Sequence, residues 1–156
     1  MKKIFYFFAL TSLFASAALI NSYATDKNQK RESIVVVKVF DGDTIQATRG
    51  KEVVTIRLAD VDCAESTKKS RRLPKQIEEW GVSEEEIKKQ GKKSKAKLDA
   101  LLKLYAEDIT FVETPEKVCK TGNGDRLVGI LYAKDINVND FMLKEGKCKS
   151  FTCADK

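Results

Sequence analysis

The 156-residue chain carries 29 Lys and Arg against 23 Asp and Glu, a formal net charge of +6, and contains four Cys, one Trp and no His. That length favours a single domain, and 42% hydrophobic residues suffice to bury a core beneath a heavily charged surface. Without His there is no Ser-His-Asp or Cys-His nucleophile pair, no His-ligated zinc and no imidazole base. Acid–base chemistry would fall to carboxylates, Lys, Tyr or metal-bound water.

Lys2 and Lys3 precede an apolar run over residues 4–20, and Ser22 and Ala24 put small residues third and first before a cut after Ala24. This is the layout of a secretory signal peptide over residues 1–24. A retained anchor is the alternative, because 17 largely apolar residues come close to the minimum that spans a bilayer. No lipid-attachment Cys and no second apolar segment of spanning length follow, so no stable membrane span is expected after cleavage. The remaining 132 residues hold 27 basic and 23 acidic side chains, a net charge of +4.

Residues 25–32 are polar and read as a loose leader ahead of one domain over 33–156. Residues 33–40 (S-I-V-V-V-K-V-F) are β-branched and nearly continuous, which predicts a buried strand. Asp41-Gly42-Asp43 is a turn signal, and residues 44–48 resume as the second arm of a hairpin. After the turn Arg49-Gly50-Lys51, residues 52–58 alternate as a third strand with Val54, Ile56 and Leu58 on one face. Residues 66–74 are basic and irregular, and Gly81 interrupts the chain after Trp80. Ser83-Glu84-Glu85-Glu86 is a capping box for a short helix through Gln90. A separate, longer helix is predicted over 93–105, with Leu98, Leu101, Leu102 and Tyr105 at core spacing. Residues 109–113 and 127–132 are further strands, and 137–145 a last helix with Val138, Phe141 and Met142 inward and Gly146 as its stop. The order predicts an α+β, mainly β fold: a five-stranded Greek-key barrel of the OB type with inserted and C-terminal helices.

The positive charge is clustered. Lys68, Lys69, Arg71, Arg72 and Lys75 lie together, and Lys88, Lys89, Lys92, Lys93, Lys95 and Lys97 follow. Clustered charge of this kind suits an anionic partner, although a solvated helix face accounts for any single lysine. In an exported chain Cys63, Cys119, Cys148 and Cys153 imply two disulfides, with three connectivities open. One of them closes a short terminal loop between Cys148 and Cys153 and leaves Cys63 with Cys119. A zinc site built from all four cysteines is disfavoured, because no Cys-x-x-Cys knuckle is present.

Two polar clusters interrupt the strands: Asp41-Gly42-Asp43-Thr44 in the first turn, and Arg57 to Glu65 running off the third strand. Because a tight turn joins the second and third strands, both clusters can converge at one end of the sheet. Carboxylates brought that close repel one another unless a cation or arginines hold them. Hard oxygen ligands suit calcium or magnesium rather than zinc. An ordinary turn for Asp41-Gly42-Asp43 and a minor strand-edge salt bridge from Arg57 to Asp60 or Asp62 are the plain alternatives. Together the clusters point to a hard-metal site beside arginines, and hence to phosphate chemistry.

The strings V-K-V-F-D-G-D-T, I-R-L-A-D-V-D-C-A-E and G-D-R-L-V-G-I-L-Y, followed by N-V-N-D-F-M-L-K-E-G, resemble the thermonuclease (staphylococcal nuclease-like) family over residues 34–149. The resemblance implies a calcium-dependent nuclease, with magnesium possible from the residues alone, that hydrolyses DNA and RNA with little sequence preference and leaves 3′-phosphate ends. It implies metal binding by Asp43, Asp62 and the backbone carbonyl of Cys63, with Asp41 and Thr44 behind them. Glu65 matches the glutamate that positions or deprotonates the attacking water. Arg57 and Arg126 match the pair that grips the scissile phosphate, where fixed guanidinium forks suit the developing charge.

The chain departs from the archetype at several points. Cys63-Ala64 stands in place of Thr-Pro, and Gly124-Asp125 in place of a tyrosine before the second arginine. An aromatic near the C-terminus is shifted to Phe151. Residues 66–90 form a longer segment that offers Lys68, Lys69, Arg71 and Arg72 as substrate contacts, tracking the nucleic-acid backbone electrostatically. The expected protein is a monomer, secreted or periplasmic. The competing readings are a non-catalytic nucleic-acid-binding module of the same fold and a disulfide-stapled interaction protein.

Overall fold

The computed structural model describes residues 30–119 and 126–155. The expected signal peptide, residues 25–29 of the leader and Gly124-Asp125 lie outside the described residues. Two pieces of strand, β1 (Glu32–Ser33) and β2 (Val35–Val39), occupy the first predicted stretch. They are followed by β3 (Thr44–Arg49), β4 (Glu52–Leu58) and β5 (Val61–Asp62). Next come α1 (Leu73–Trp80), α2 (Glu84–Leu104), β6 (Ile109–Glu113) and β7 (Lys117–Val118). The chain ends in β8 (Leu127–Ala133), β9 (Ile136–Asn137), α3 (Val138–Lys144), β10 (Lys149–Ser150) and β11 (Ala154–Asp155).

The main sheet runs β1-β6-β8-β4-β3-β2, with β4 and β8 parallel and the other pairs antiparallel. Its two ends are consecutive pieces of one stretch of chain: β1 pairs β6, and after Ile34 the same stretch pairs β3 as β2. At that seam Arg49 donates to Glu32 at 2.6 Å and to Glu113 at 2.8 Å, tying β3 to β1 and β6. The molecule is a mixed α+β fold of the OB-like kind.

Alternation in β4 holds: Ile56 and Leu58 are fully buried and Val54 packs beside them. They share one core with Ile45, Leu98, Leu131, Val138 and Met142, so α2 and α3 close over the sheet. The first stretch departs from expectation, since Val35 and Val37 are 64% and 56% exposed. A β-branched run marks extended backbone but does not say which face is covered.

The helical segment differs more. Where two helices were expected to meet near Gly91, α2 runs unbroken through it, capped by Ser83, whose side chain accepts from Glu86 N–H at 3.3 Å. Gly91 is there for contact. A β-carbon on it would stand 2.5 Å from the Ala64 carbonyl oxygen and 2.6 Å from the Glu65 backbone. The stretch expected to be irregular ends in a helix instead, because Leu73-Pro74 starts α1 with proline in the first turn, where no N–H is required. Gly81, at φ 64°, terminates it in the left-handed region.

The cysteines pair Cys63 with Cys148 and Cys119 with Cys153, not Cys148 with Cys153. The reason lies in the strands. β10 pairs β5 with Lys149 opposite Asp62, which brings Cys148 to Cys63. β11 pairs β7 with Ala154 opposite Val118, which brings Cys153 to Cys119. Both bonds therefore fasten the C-terminal tail to the body of the domain.

Candidate active site

Thr44 at the start of β3 lies directly opposite Arg57 near the end of β4, so the first turn and the third strand's exit share one end of the sheet. Asp43 sits just before Thr44, and its carbonyl accepts from Leu58 N–H at 2.9 Å. Beyond Leu58 the chain turns at Asp60, whose φ of 58° is one that Asp tolerates better than most residues. Two anchors fix this turn from the C-terminal tail: Phe151 N–H donates to the Asp60 carbonyl and Cys153 N–H to its carboxylate. Buried Asn139 of α3 pins it from below, donating to Ala59 O at 2.9 Å while accepting from Leu131 N–H at 3.1 Å.

One guanidinium bridges two buried carboxylates. Arg57 donates through Nη1 to Asp43 Oδ1 at 2.6 Å, and through Nη2 to Asp62 Oδ1 at 3.3 Å and the Val61 carbonyl at 3.1 Å. Asp43 also accepts from the Thr44 hydroxyl at 2.9 Å and from Cys63 N–H at 2.7 Å. Asp41 accepts from Asp43 N–H at 3.1 Å and so shapes the turn. Even with these donors, burial dominates and pushes the Asp43 carboxyl up to about 7, opposed by Arg57 and reinforced by Asp41.

Glu65 stands at the rim of the same cluster. Burial raises its pKa, a hydrogen bond with the Ser70 hydroxyl opposes the rise, and the Asp43 charge adds to it. Arg126, half-buried just before β8, has its pKa lowered by burial and by the Arg57 charge, against the pull of Asp43, Asp41 and Glu65. Asp41, Asp43, Arg57, Asp62, Glu65 and Arg126 thus form one electrostatic unit.

The inserted segment divides between surface and site. Lys68 is 76% exposed and only loosely paired with Glu84 at 3.8 Å, and Lys69 and Arg71 are exposed. Arg72 turns inward instead, donating to Asp62 at 3.0 Å and to Glu79 at 2.6 Å. Burial works against its charge, but the bonds to Glu79 and Asp62 outweigh it and raise the pKa. Phe151 lies 6.0 Å from the Arg57 guanidinium and 5.7 Å from that of Arg72.

Three site-shaping residues escaped the sequence reading: Ser70, Gln76 and Gly91. A lone Gln or Ser inside a charged run carries no spacing signal. Among the described residues no three His, Cys, Asp or Glu side chains gather to hold a metal. Asp43, Asp62 and the Cys63 carbonyl supply two carboxylates and one backbone oxygen.

An OB-like domain thus joins arginines and carboxylates in a buried cluster at one end of its sheet. The model of the staphylococcal nuclease homologue family matches residues 55–156, and the chain belongs to that family. The match spans Arg57, Asp62, Cys63, Glu65 and Arg126, while Asp43 and its turn lie ahead of it. No curated protein matches the chain.

Proposed function

We propose that the protein is an exported, divalent-cation-dependent nuclease that hydrolyses phosphodiester bonds of DNA and RNA with little sequence preference. The observation that carries this reading is the bridge of Asp43 and Asp62 by Arg57, with Glu65 and Arg126 facing it, in a chain of this family. The sheet whose ends meet at Ile34 is read as a closed five-stranded Greek-key barrel.

The donors fit a hard cation. Asp43, Asp62 and the Cys63 carbonyl offer only oxygen, two of the three as buried carboxylates. Calcium is proposed on the family's chemistry, and its two positive charges would stabilise negative charge gathering on the phosphate. The chain's own residues do the rest. Glu65 takes the proton of the attacking water as the water oxygen bonds to phosphorus. Arg57 and Arg126 hold the charge that builds on the non-bridging oxygens, and a donor here is worth about 10²–10³ in rate. Arg57 Nε, buried and without a partner among the described residues, is a donor that a phosphate oxygen would satisfy. The bond to the 5′-oxygen breaks, solvent supplies its proton, and a 3′-phosphate remains.

Lys68, Lys69 and Arg71 are proposed to track the substrate backbone from the exposed side of the inserted segment. The two disulfides support an oxidising destination, secreted or periplasmic, for a monomer freed of residues 1–24. The test is cleavage of single-stranded and duplex DNA and of RNA with calcium, magnesium or chelator, beside a Glu65→Gln control. Cation-dependent cleavage that falls about 10²–10⁴-fold in the control is the expected result. Binding without cleavage under every cation would leave a nucleic-acid-binding module.

A further inference from the structure

We propose that Gln76 is a positioning residue for the reaction, setting the spacing between Glu65 and the oxygens of Asp62 and Cys63. The inference rests on the nuclease reading above. Gln76 belongs to α1 and is fully buried. Both ends of its amide serve one short stretch of chain. Oε1 accepts from Glu65 N–H at 2.9 Å, and Nε2 donates to the Cys63 carbonyl at 2.8 Å and to Asp62 Oδ2 at 3.2 Å.

That stretch needs an external clip. Residues 63–66 belong to no helix or strand, so no ladder sets the orientation of the Glu65 backbone. The amide performs for them what a neighbouring strand would do, one acceptor and two donors at fixed spacing. The helix behind it is itself held: Leu73 packs with Ala64 and Ile87, Arg72 reaches Asp62, and Gly91 lets α2 press on the same backbone. Side-chain chemistry leaves little choice at the position. Leu would strand the Glu65 N–H and the Cys63 carbonyl, an ionised Glu could not donate, and Asn is shorter by about 1.5 Å. A displacement of about 1 Å in such a group costs about 10²-fold in rate.

The experiment compares the disulfide-bonded wild-type chain with Gln76→Leu and Gln76→Glu by residue-resolved amide hydrogen exchange and by steady-state hydrolysis of single-stranded DNA. In Gln76→Leu the Glu65 amide should exchange at least tenfold faster while β3, β4 and β8 keep their protection. Its kcat should fall about 10²-fold with KM within about threefold. Gln76→Glu retains the acceptor, so Glu65 stays protected while kcat still falls, because Cys63 and Asp62 have lost their donor. Unchanged exchange at Glu65 in Gln76→Leu, or unchanged kcat beside faster exchange, would overturn the proposal. If Gln76→Leu fails to fold, Gln76→Glu decides, and wild-type kcat in it overturns the proposal. A wild-type chain that cleaves nothing would end the nuclease reading and leave the exchange result to decide the clip.

Discussion

Arg57 Nη1 lies 2.6 Å from Asp43 Oδ1, an ion pair between side chains that are 5% and 3% exposed. The same guanidinium reaches Asp62, so one cation stands between two buried acids. Removing it takes the guanidinium from Asp43, while Asp62 keeps Arg72 and Gln76. Arg57→Ala should cost about 3–5 kcal/mol at neutral pH, read as a lower urea midpoint, because buried Asp43 loses its ion-pair partner. Arg57→Lys should keep more of that stability yet lose about 10²–10³ in cleavage, since a point charge lacks the second arm of the fork. Wild-type cleavage in Arg57→Lys would show that charge alone matters.

Gly91→Ala separates helix propensity from packing. In an exposed helix interior the change would stabilise by about 1 kcal/mol. Here the new methyl meets the Ala64 carbonyl at 2.5 Å and the Glu65 backbone at 2.6 Å. The expected outcome is a net loss of about 1–3 kcal/mol with a fall in kcat, measured by thermal unfolding and hydrolysis of one preparation. A stabilised, fully active variant would mean that α2 moves aside freely.

The disulfides should differ in their functional reach. Cys63–Cys148 closes 85 residues and Cys119–Cys153 closes 34, which in the chain-entropy account gives about 4–5 and about 4 kcal/mol. Similar stabilities go with different neighbours. Cys63 N–H donates to Asp43 and a β-carbon on Gly42 would lie 2.8 Å from the Cys63 sulfur, so the first bond abuts the site. Cys148→Ala should therefore lower kcat several-fold more than Cys119→Ala when both are assayed well below their unfolding temperatures.

Acid should act on the seam of the sheet. The Arg49 hydrogen bond holds the Glu32 carboxyl below its ordinary value of 4.5. Since the folded value is depressed, this pair adds stability above pH 4.5, and the contribution is lost as pH falls through the folded value. Arg49→Met should be less stable than wild type at pH 7, with the gap closing toward pH 3, followed by urea midpoints. A gap that does not narrow at all as pH falls below 4.5 would assign the effect to packing.

The sequence marked β3, β4, β6 and α3 closely, because β-branched alternation and capping residues act over a few positions. Asp43, Arg57, Asp62 and Glu65 were also legible, since turn signals and strand ends carried them to one place. The break expected between Gln90 and residue 93 is absent, and only the backbone of Glu65 across the gap explains the glycine at 91. α1 was hidden by Pro74, although Leu73, Ile77 and Trp80 recur at helical spacing behind it. Gln76 left no trace, because its partners are backbone groups and a carboxylate brought near by the fold. The disulfide pairing depended on short strands, β5 with β10 and β7 with β11, of two residues each.

The anchors of the Asp60 turn bear on how the chain is made. Cys153 N–H bonds Asp60 across 93 residues, Asn139 reaches Ala59 across 80, and Cys148 reaches Cys63 across 85. On a ribosome the hairpin and its carboxylates emerge early, yet they wait for almost the whole remaining sequence before the loop between them is braced. Contacts so distant along the chain are closed late in folding. A nascent chain stalled before Asn139 would display both acids and Arg57 without the braces that hold them in register.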